Sequence, residues 1–398
     1  MNKYKFIEWC RANIFESANF HYKVLVILIS YFLFNRFIRK ISFVYLNTDF
    51  LTLKVLEGAL FGLTYLILII SVCFLRKKIP KIVFFCWFGL ISVFFINEIR
   101  YAYLNINYSI LESLTSTQGF YAAKLTLPIL FWGVWGVLKN NLTYGAKFIK
   151  HLKAFLIVNL VFIISGVIFG VSLFESYPLT GRWGYNGLLS HGTTNSGFYG
   201  MILLGLSLNN RGDWNKIFLF SMGLIMLGHK AALLYLILII YFIWIKDKVV
   251  KKSLFWIGLI FVFSSSYWFP KAVKYSNFWN SIYENHGVLG ALLSLRNENI
   301  SNVFSSGEFG VFNMFFGGVV RYPNDVEMML FDLFIFYGVI GVLLYFLFIF
   351  KYVKEWFLAI PIIVAFFGGG LYESPLAMFV FGVIIFNNSK KYRSINDF

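Results

Sequence analysis

Residues 217–252 read IFLFSMGLIMLGHKAALLYLILIIYFIWIKDKVVKK. The run is apolar from Ile217 to Ile245 except at Gly228-His229-Lys230. A run of this kind belongs in the hydrocarbon of a bilayer, which ~20 apolar residues cross as a helix. One helix through the whole run would leave the basic group Lys246 to Lys252 on the outer side, against the positive-inside rule. Two short helices meeting at 228–230 remove the conflict. The first then has about 15 residues and reaches ~22 Å, short of the ~30 Å hydrocarbon core. Its turn is therefore expected to lie sunken in a depression open to the outside, with His229 and Lys230 in it. An ionisable residue there is a functional candidate, although a lysine can also snorkel to the interface.

The rest of the chain agrees. Of 398 residues, 59% are apolar, 21% aromatic and only 13% charged, with a mean hydropathy of +0.73. Soluble domains carry roughly 25% charged residues. These values exclude a soluble enzyme, a disordered chain and a disulfide scaffold. The net charge of +17 does not argue for nucleic acid, because Lys and Arg fall in short runs between apolar stretches. Cys10, Cys73 and Cys86 are scattered, without the spacing of a disulfide framework or a zinc site. Residues 1–20 carry Glu8, Arg11 and Glu16 and no apolar core, so insertion through the chain's own helices is expected.

Twelve apolar segments are candidate spans: 22–38, 55–75, 82–98, 120–138, 154–172, 190–208, 214–228, 231–245, 253–269, 326–350, 357–372 and 375–387. The expected fold is an all-α integral membrane protein of about 12 transmembrane helices. It forms a single polytopic domain, 1–398, with both termini cytoplasmic. That orientation puts Arg76-Lys77-Lys78, Lys139 to Lys153, Lys246 to Lys252 and Lys390-Lys391 on one side. Only 270–325 is a sizeable external loop. Six of the ten arginines then lie outside (Arg36, Arg39, Arg100, Arg182, Arg296 and Arg321), against six of the twenty-five lysines. Arginine's planar fork suits bidentate binding of phosphate or carboxylate, so the bias points to an anionic ligand handled externally.

Several residues sit against the rules for a bilayer. Arg182 lies in Gly181-Arg182-Trp183-Gly184, followed by Asn195. It reads either as an anion ligand or as an interfacial Arg-Trp anchor. The external loop holds Arg296, Arg321 and His286, with Tyr267, Trp268, Tyr275, Trp279 and Tyr283 near its start. Such aromatics suit sugar binding or form the interfacial belt. His286 has no partner histidine at ligand spacing, so no metal is expected. Asn324 and Glu327 form a capping-box pattern. Glu327 at a cavity mouth also suits a general base. Asp332, about ~7.5 Å deeper in an apolar helix, needs a partner or a cavity.

Gly181-Arg182 with Gly184, Asn195, Gly228-His229-Lys230-Ala231, Arg296, and Glu327-x4-Asp332-x4-Tyr337-Gly338-x-x-Gly341 follow one another in an order that resembles the O-antigen polymerase (Wzy-type) family, relatives of the O-antigen ligases. The resemblance implies a GT-C-like glycosyltransferase at the periplasmic face of the bacterial inner membrane. Its donor and acceptor would both be undecaprenyl-pyrophosphate-linked oligosaccharide repeat units. It would need no metal and no nucleotide cofactor. Its partners would be membrane lipids and a separate chain-length regulator. Arg182, Lys230, Arg296 and Arg321 would bind the pyrophosphate, with Asn195 and His286 as further substrate contacts. Glu327 would act as base, and Asp332 would orient a basic residue of the same site. Where ligases carry a His about eleven residues before the glycine, counting back from Gly338 gives Glu327, which favours polymerase over ligase. An O-antigen ligase, a lipid-linked oligosaccharide flippase and a structural or sensory membrane protein are the alternatives; a flippase should carry internal repeats, and none is evident here, while a structural protein gives the sunken Lys230 and helical Asp332 no purpose.

Overall fold

The computed structural model describes residues 3–46, 51–104, 117–178, 182–189, 192–209, 213–273, 277–305, 310–318, 326, 328–368, 371 and 374–388. Arg321 and Glu327 lie outside these residues, as does Asn324 of the capping-box pattern. The described chain is all-helical, with no sheet. Its 17 helices are α1 (Lys3–Cys10), α2 (Ala18–Ile41), α3 (Leu51–Leu75), α4 (Lys81–Leu104), α5 (Thr117–Trp135), α6 (Asn141–Phe169), α7 (Gly192–Asn209), α8 (Trp214–Met226), α9 (Lys230–Ile239), α10 (Lys248–Phe263), α11 (Ser265–Val273), α12 (Asn277–Leu293), α13 (Arg296–Ser305), α14 (Val311–Phe316), α15 (Met329–Tyr352), α16 (Ile360–Gly368) and α17 (Pro375–Asn388). Hydrocarbon offers no partner for peptide groups, so a chain this apolar closes its backbone hydrogen bonds within helices.

Four helices are long and apolar enough to cross a membrane among the described residues: Val55–Leu75 within α3, α4, α6 and α15. Every other apolar segment read from the sequence falls on a shorter or less apolar helix. Large apolar side chains cover the outer surface, among them Phe85, Phe88, Val161, Ile257, Ile260 and Phe263. In water such a belt drives aggregation, whereas in lipid it is solvated. Several long apolar helices of this kind mark a multi-pass membrane protein.

The helix that organises the bundle is α17. Its side chains from Pro375 to Phe386 are buried on every face, as expected of a helix apolar all round. Small residues let its neighbours approach. Gly136, just after α5, lies against Phe386, Gly145 of α6 against Asn387, and Gly197 of α7 against Ala377. The Trp132 indole donates to the Met378 carbonyl at 2.8 Å. One end of the bundle gathers Glu16 with Lys78, Ser17 with Lys139, and Trp244 with Ser207. The other gathers Glu175 with Tyr185, Gly184 with Leu227, and Gly368 with Ala231.

Two elements differ from the sequence reading. Helix α6 begins at Asn141, not near 154, because Phe148, Leu152 and Leu156 bury one face while Lys147 and Lys150 stay exposed. A charge-rich amphipathic turn reads as a loop when only hydropathy is counted. Helix α15 is broken at Gly338, where φ is +65. The loop after α14 packs into that break, and Gly318 N–H donates to the Ile335 carbonyl at 2.9 Å. A Cβ on Gly338 would fall on the Phe315 carbonyl. Gly338→Ala should therefore cost about 2–4 kcal/mol, through a Gly-only conformation and overpacking. The measurement is the midpoint of unfolding in detergent. Gly58→Ala, whose Cβ meets nothing within 4 Å, should leave that midpoint unchanged or slightly raised.

Candidate functional site

The site is built around the turn between α8 and α9. Helix α8 ends at Met226, and α9 starts at Lys230 after Gly228, whose φ is +68. A second loop lies against this turn. Tyr185 N–H donates to the Met226 carbonyl at 2.8 Å, and the Ser176 hydroxyl donates to the Leu227 carbonyl at 2.9 Å. Gly228 and Gly184 meet backbone to backbone, and a Cβ on either would strike the other strand of the contact. Gly184 and Gly228 are thus explained by this close approach, while Gly181 lies outside the described residues.

The contact delivers Arg182 and Lys230 to the same tryptophan. The Arg182 guanidinium stands 3.7 Å from the centroid of Tyr177, 4.7 Å from Phe278 and 5.0 Å from Trp279. The Lys230 ammonium stands 4.2 Å from the Trp279 centroid. Each such contact is worth about 0.5–2 kcal/mol. Lys230 also donates to the carbonyls of Ala291 and Leu292, at 2.9 and 2.6 Å, and to the Ser294 hydroxyl at 3.0 Å. These acceptors lie at the C-terminal end of α12, where carbonyls lack helical partners and carry partial negative charge. Three acceptors engage the three donors of an ammonium. Arg296, at the start of α13, donates to the Leu293 carbonyl at 3.5 Å. The charges that act on Lys230 are those of Arg296 and Arg182.

Helix α12 ends where Ser294 and Leu295 adopt positive φ, of 54 and 66. The continuous amphipathic helix read over 288–303 is therefore two helices, with the break placed where Lys230 binds.

His229 sits in the turn, outside both helices. The Tyr177 hydroxyl donates to its Nδ1 at 2.6 Å, and its Nε2–H donates to Asn186 Oδ1 at 3.3 Å. A neutral imidazole satisfies both bonds. Burial first, and the Arg182 charge second, hold His229 down at about 4. Asn186 in turn accepts at its carbonyl from Asn159 Nδ2, at 3.1 Å. Asn195 is fully buried, and neither of its amide atoms has a hydrogen-bond partner among the described residues. It lies one turn before Tyr199 on the same face of α7, and Tyr199 packs against Asn159 and Gly223. Asn195 therefore faces the same α6–α8 side.

The structure brings Arg182, Lys230 and Arg296 together. His286 pairs instead with Glu298, Nδ1 to Oε1 at 2.5 Å, bracing α12 against α13. Asp332 Oδ1 accepts from the Val326 N–H at 3.1 Å, so this carboxylate closes the entry to α15. Tyr177 and Phe278 were missed in the sequence reading. Their signal was indirect: Tyr177 lies five residues before Arg182, and Phe278 directly precedes Trp279. No metal-ligand cluster of His, Cys, Asp or Glu occurs among the described residues. The chain matches no protein-family model, no curated protein and no solved structure.

Two outcomes test this geometry. Lys230→Ala should release the C-terminal end of α12, raising hydrogen exchange across 277–293 at least tenfold while the bundle keeps its protection. For His229, only the unfolded chain holds the proton between about 4 and 6.5. Stability should therefore rise with pH across that window and be lost as pH falls through it, by up to about 1.4 kcal/mol per unit. Thermal midpoints measured from pH 7 to 4.5 should show this slope in the wild type and a flatter one in His229→Gln.

Proposed function

We propose that this chain is an integral membrane glycosyltransferase of the O-antigen polymerase kind, with twelve spans, working at the periplasmic face of a bacterial inner membrane. The observation that carries the reading is the convergence of Arg182 and Lys230 on Trp279, with the Arg296 charge acting on Lys230, in an apolar helical bundle. Three cations gathered beside aromatic rings suit a ligand that joins a diphosphate to sugars. The resemblance in motif order described above supports the same class.

In the proposed reaction, a sugar hydroxyl of one lipid-linked repeat unit attacks the anomeric carbon of the growing glycan. The new C–O bond forms as the C–O bond to undecaprenyl pyrophosphate breaks, and the bonding pair leaves on the diphosphate. The guanidinium forks of Arg182 and Arg296 meet that growing charge, with Arg321 assigned to help by the resemblance. Lys230, tied to α12, adds positive field from a fixed point. The hydroxyl proton passes to a carboxylate, assigned to Glu327 by the resemblance. A single displacement of this kind inverts the anomeric centre.

Cells lacking the gene should carry glycan of a single repeat unit. Arg182→Ala, Arg296→Ala and Glu327→Gln should each cut long-chain glycan by about 100-fold or more at a normal level of membrane protein. Full ladders from all three variants would overturn the site. Complete loss of attached glycan in the deletion would identify a ligase instead.

A further inference from the structure

Helix α14 belongs to the stretch 270–325 that the sequence places outside the membrane, yet its neighbours set it lower. It packs on α4 and α15, which run antiparallel. Gly89 lies against Leu344, Gly341 against Leu90, and Phe94 stacks on Phe336. Lys81 and Lys351 therefore mark the same end of the pair. Counted from that end at ~1.5 Å per residue, Asn97 stands ~24 Å along α4, and the kink at Gly338 stands ~20 Å along α15. Asn97 Nδ2 donates to the Phe316 carbonyl at 2.6 Å, and the Gly318 N–H donates to the Ile335 carbonyl at 2.9 Å. Two helices thus independently hold the end of α14 at ~20–24 Å, inside a hydrocarbon core of ~30 Å. The first turn of α14 sits higher, at Arg100, ~28 Å along α4. Arg100 Nη1 donates to Asn313 Oδ1 at 3.1 Å, and the guanidinium lies 4.2 Å from the Phe312 centroid.

The residue pattern of α14 is that of a helix in lipid. Val311, Met314 and Phe315 share one face and are 76%, 46% and 46% exposed. The one polar side chain, Asn313, is buried. A helix on a water-facing surface places these the other way round. Asn313 also closes backbone bonds that water would otherwise serve. Its Oδ1 accepts from the Gly310 N–H at 3.4 Å, and its Nδ2 donates to the Gly317 carbonyl at 3.1 Å. Gly317 and Gly318, both at φ +78, turn the chain there. Hydrocarbon tolerates irregular backbone only where protein satisfies it. The broken α15 gains by the same contact, since Gly318 N–H and Asn97 Nδ2 reach the carbonyls of Ile335 and Phe336 beside the kink. Phe95, Ile96 and Ile99, on the adjoining stretch of α4, are exposed as well. The apolar face of α14 is therefore continuous with the lipid-facing belt of the bundle.

We propose that residues 310–318 form a re-entrant segment. It enters the membrane at the Arg100 end of the bundle and turns back at Gly317-Gly318, with Val311, Met314 and Phe315 seated against phospholipid acyl chains. The segment is embedded whichever side of the membrane Arg100 faces, so it stands apart from the function proposed above.

The test uses the wild-type chain in phosphatidylcholine nanodiscs free of isoprenoid lipid. A trace of phosphatidylcholine carrying a diazirine on its acyl chain is photolysed, and labelled residues are read by mass spectrometry. Label should reach Val311, Met314 or Phe315 at a yield within about threefold of that at Leu343, which is 57% exposed on α15. The yield should be at least about tenfold above that at Ser301 on the polar helix α13. Periodate, which stays in the water, should oxidise the Met314 thioether at least about tenfold more slowly than in the unfolded chain. Label at Leu343 with none over 311–316, or oxidation of Met314 as fast as in the unfolded chain, overturns the proposal. Slow oxidation without lipid label means that a second protein surface covers the face, and overturns it too.

Discussion

The ammonium of Lys230 joins two parts of the chain that are sixty residues apart in sequence. Its donors end on two carbonyls and a hydroxyl at the close of α12, and its charge faces Trp279. A carboxylate partner would cancel the field of a lysine at any distance beyond the pair. Here helix-end carbonyls and a ring face do the balancing. Both are dipolar or quadrupolar, so neither cancels the charge of the ammonium as a carboxylate would. The same contacts hold the end of α12, beyond its break at Gly287, over the turn, and the Lys230–Trp279 contact holds one of the rings that seat Arg182. Removing the clasp would alter the position of the loop helix and the setting of a second cation together.

The clasp works because the turn beneath it is rigid. Gly184 and Gly228 bring two loops into backbone contact, and the Tyr177–His229–Asn186–Asn159 series of hydrogen bonds anchors both to α6. Behind them α7 and α17 run side by side, and α17 has no polar face to expose. A bilayer supplies no hydrophobic drive between helices, so packing of small residues against large ones holds such a bundle. Gly136, Gly145 and Gly382 serve that purpose around α17. The short helices α8 and α9 tolerate a charged turn because the surrounding helices cover it.

Much of this was legible in the residues alone. Each apolar segment coincides with a helix because hydropathy is a local property and hydrocarbon permits little besides helix. The break at Gly228-His229-Lys230 followed from the charge on Lys246 to Lys252, a constraint only about one helix length away. What escaped was long-range or conformational. Nothing local announces that Ser294 and Leu295 take positive φ, or that α15 breaks at Gly338 to receive the loop after α14. The rings that seat Arg182 come from Tyr177 nearby and from Phe278 and Trp279 almost a hundred residues on. Asp332 was noticed, and its bond to the Val326 N–H gives it a structural partner that sequence spacing does not reveal.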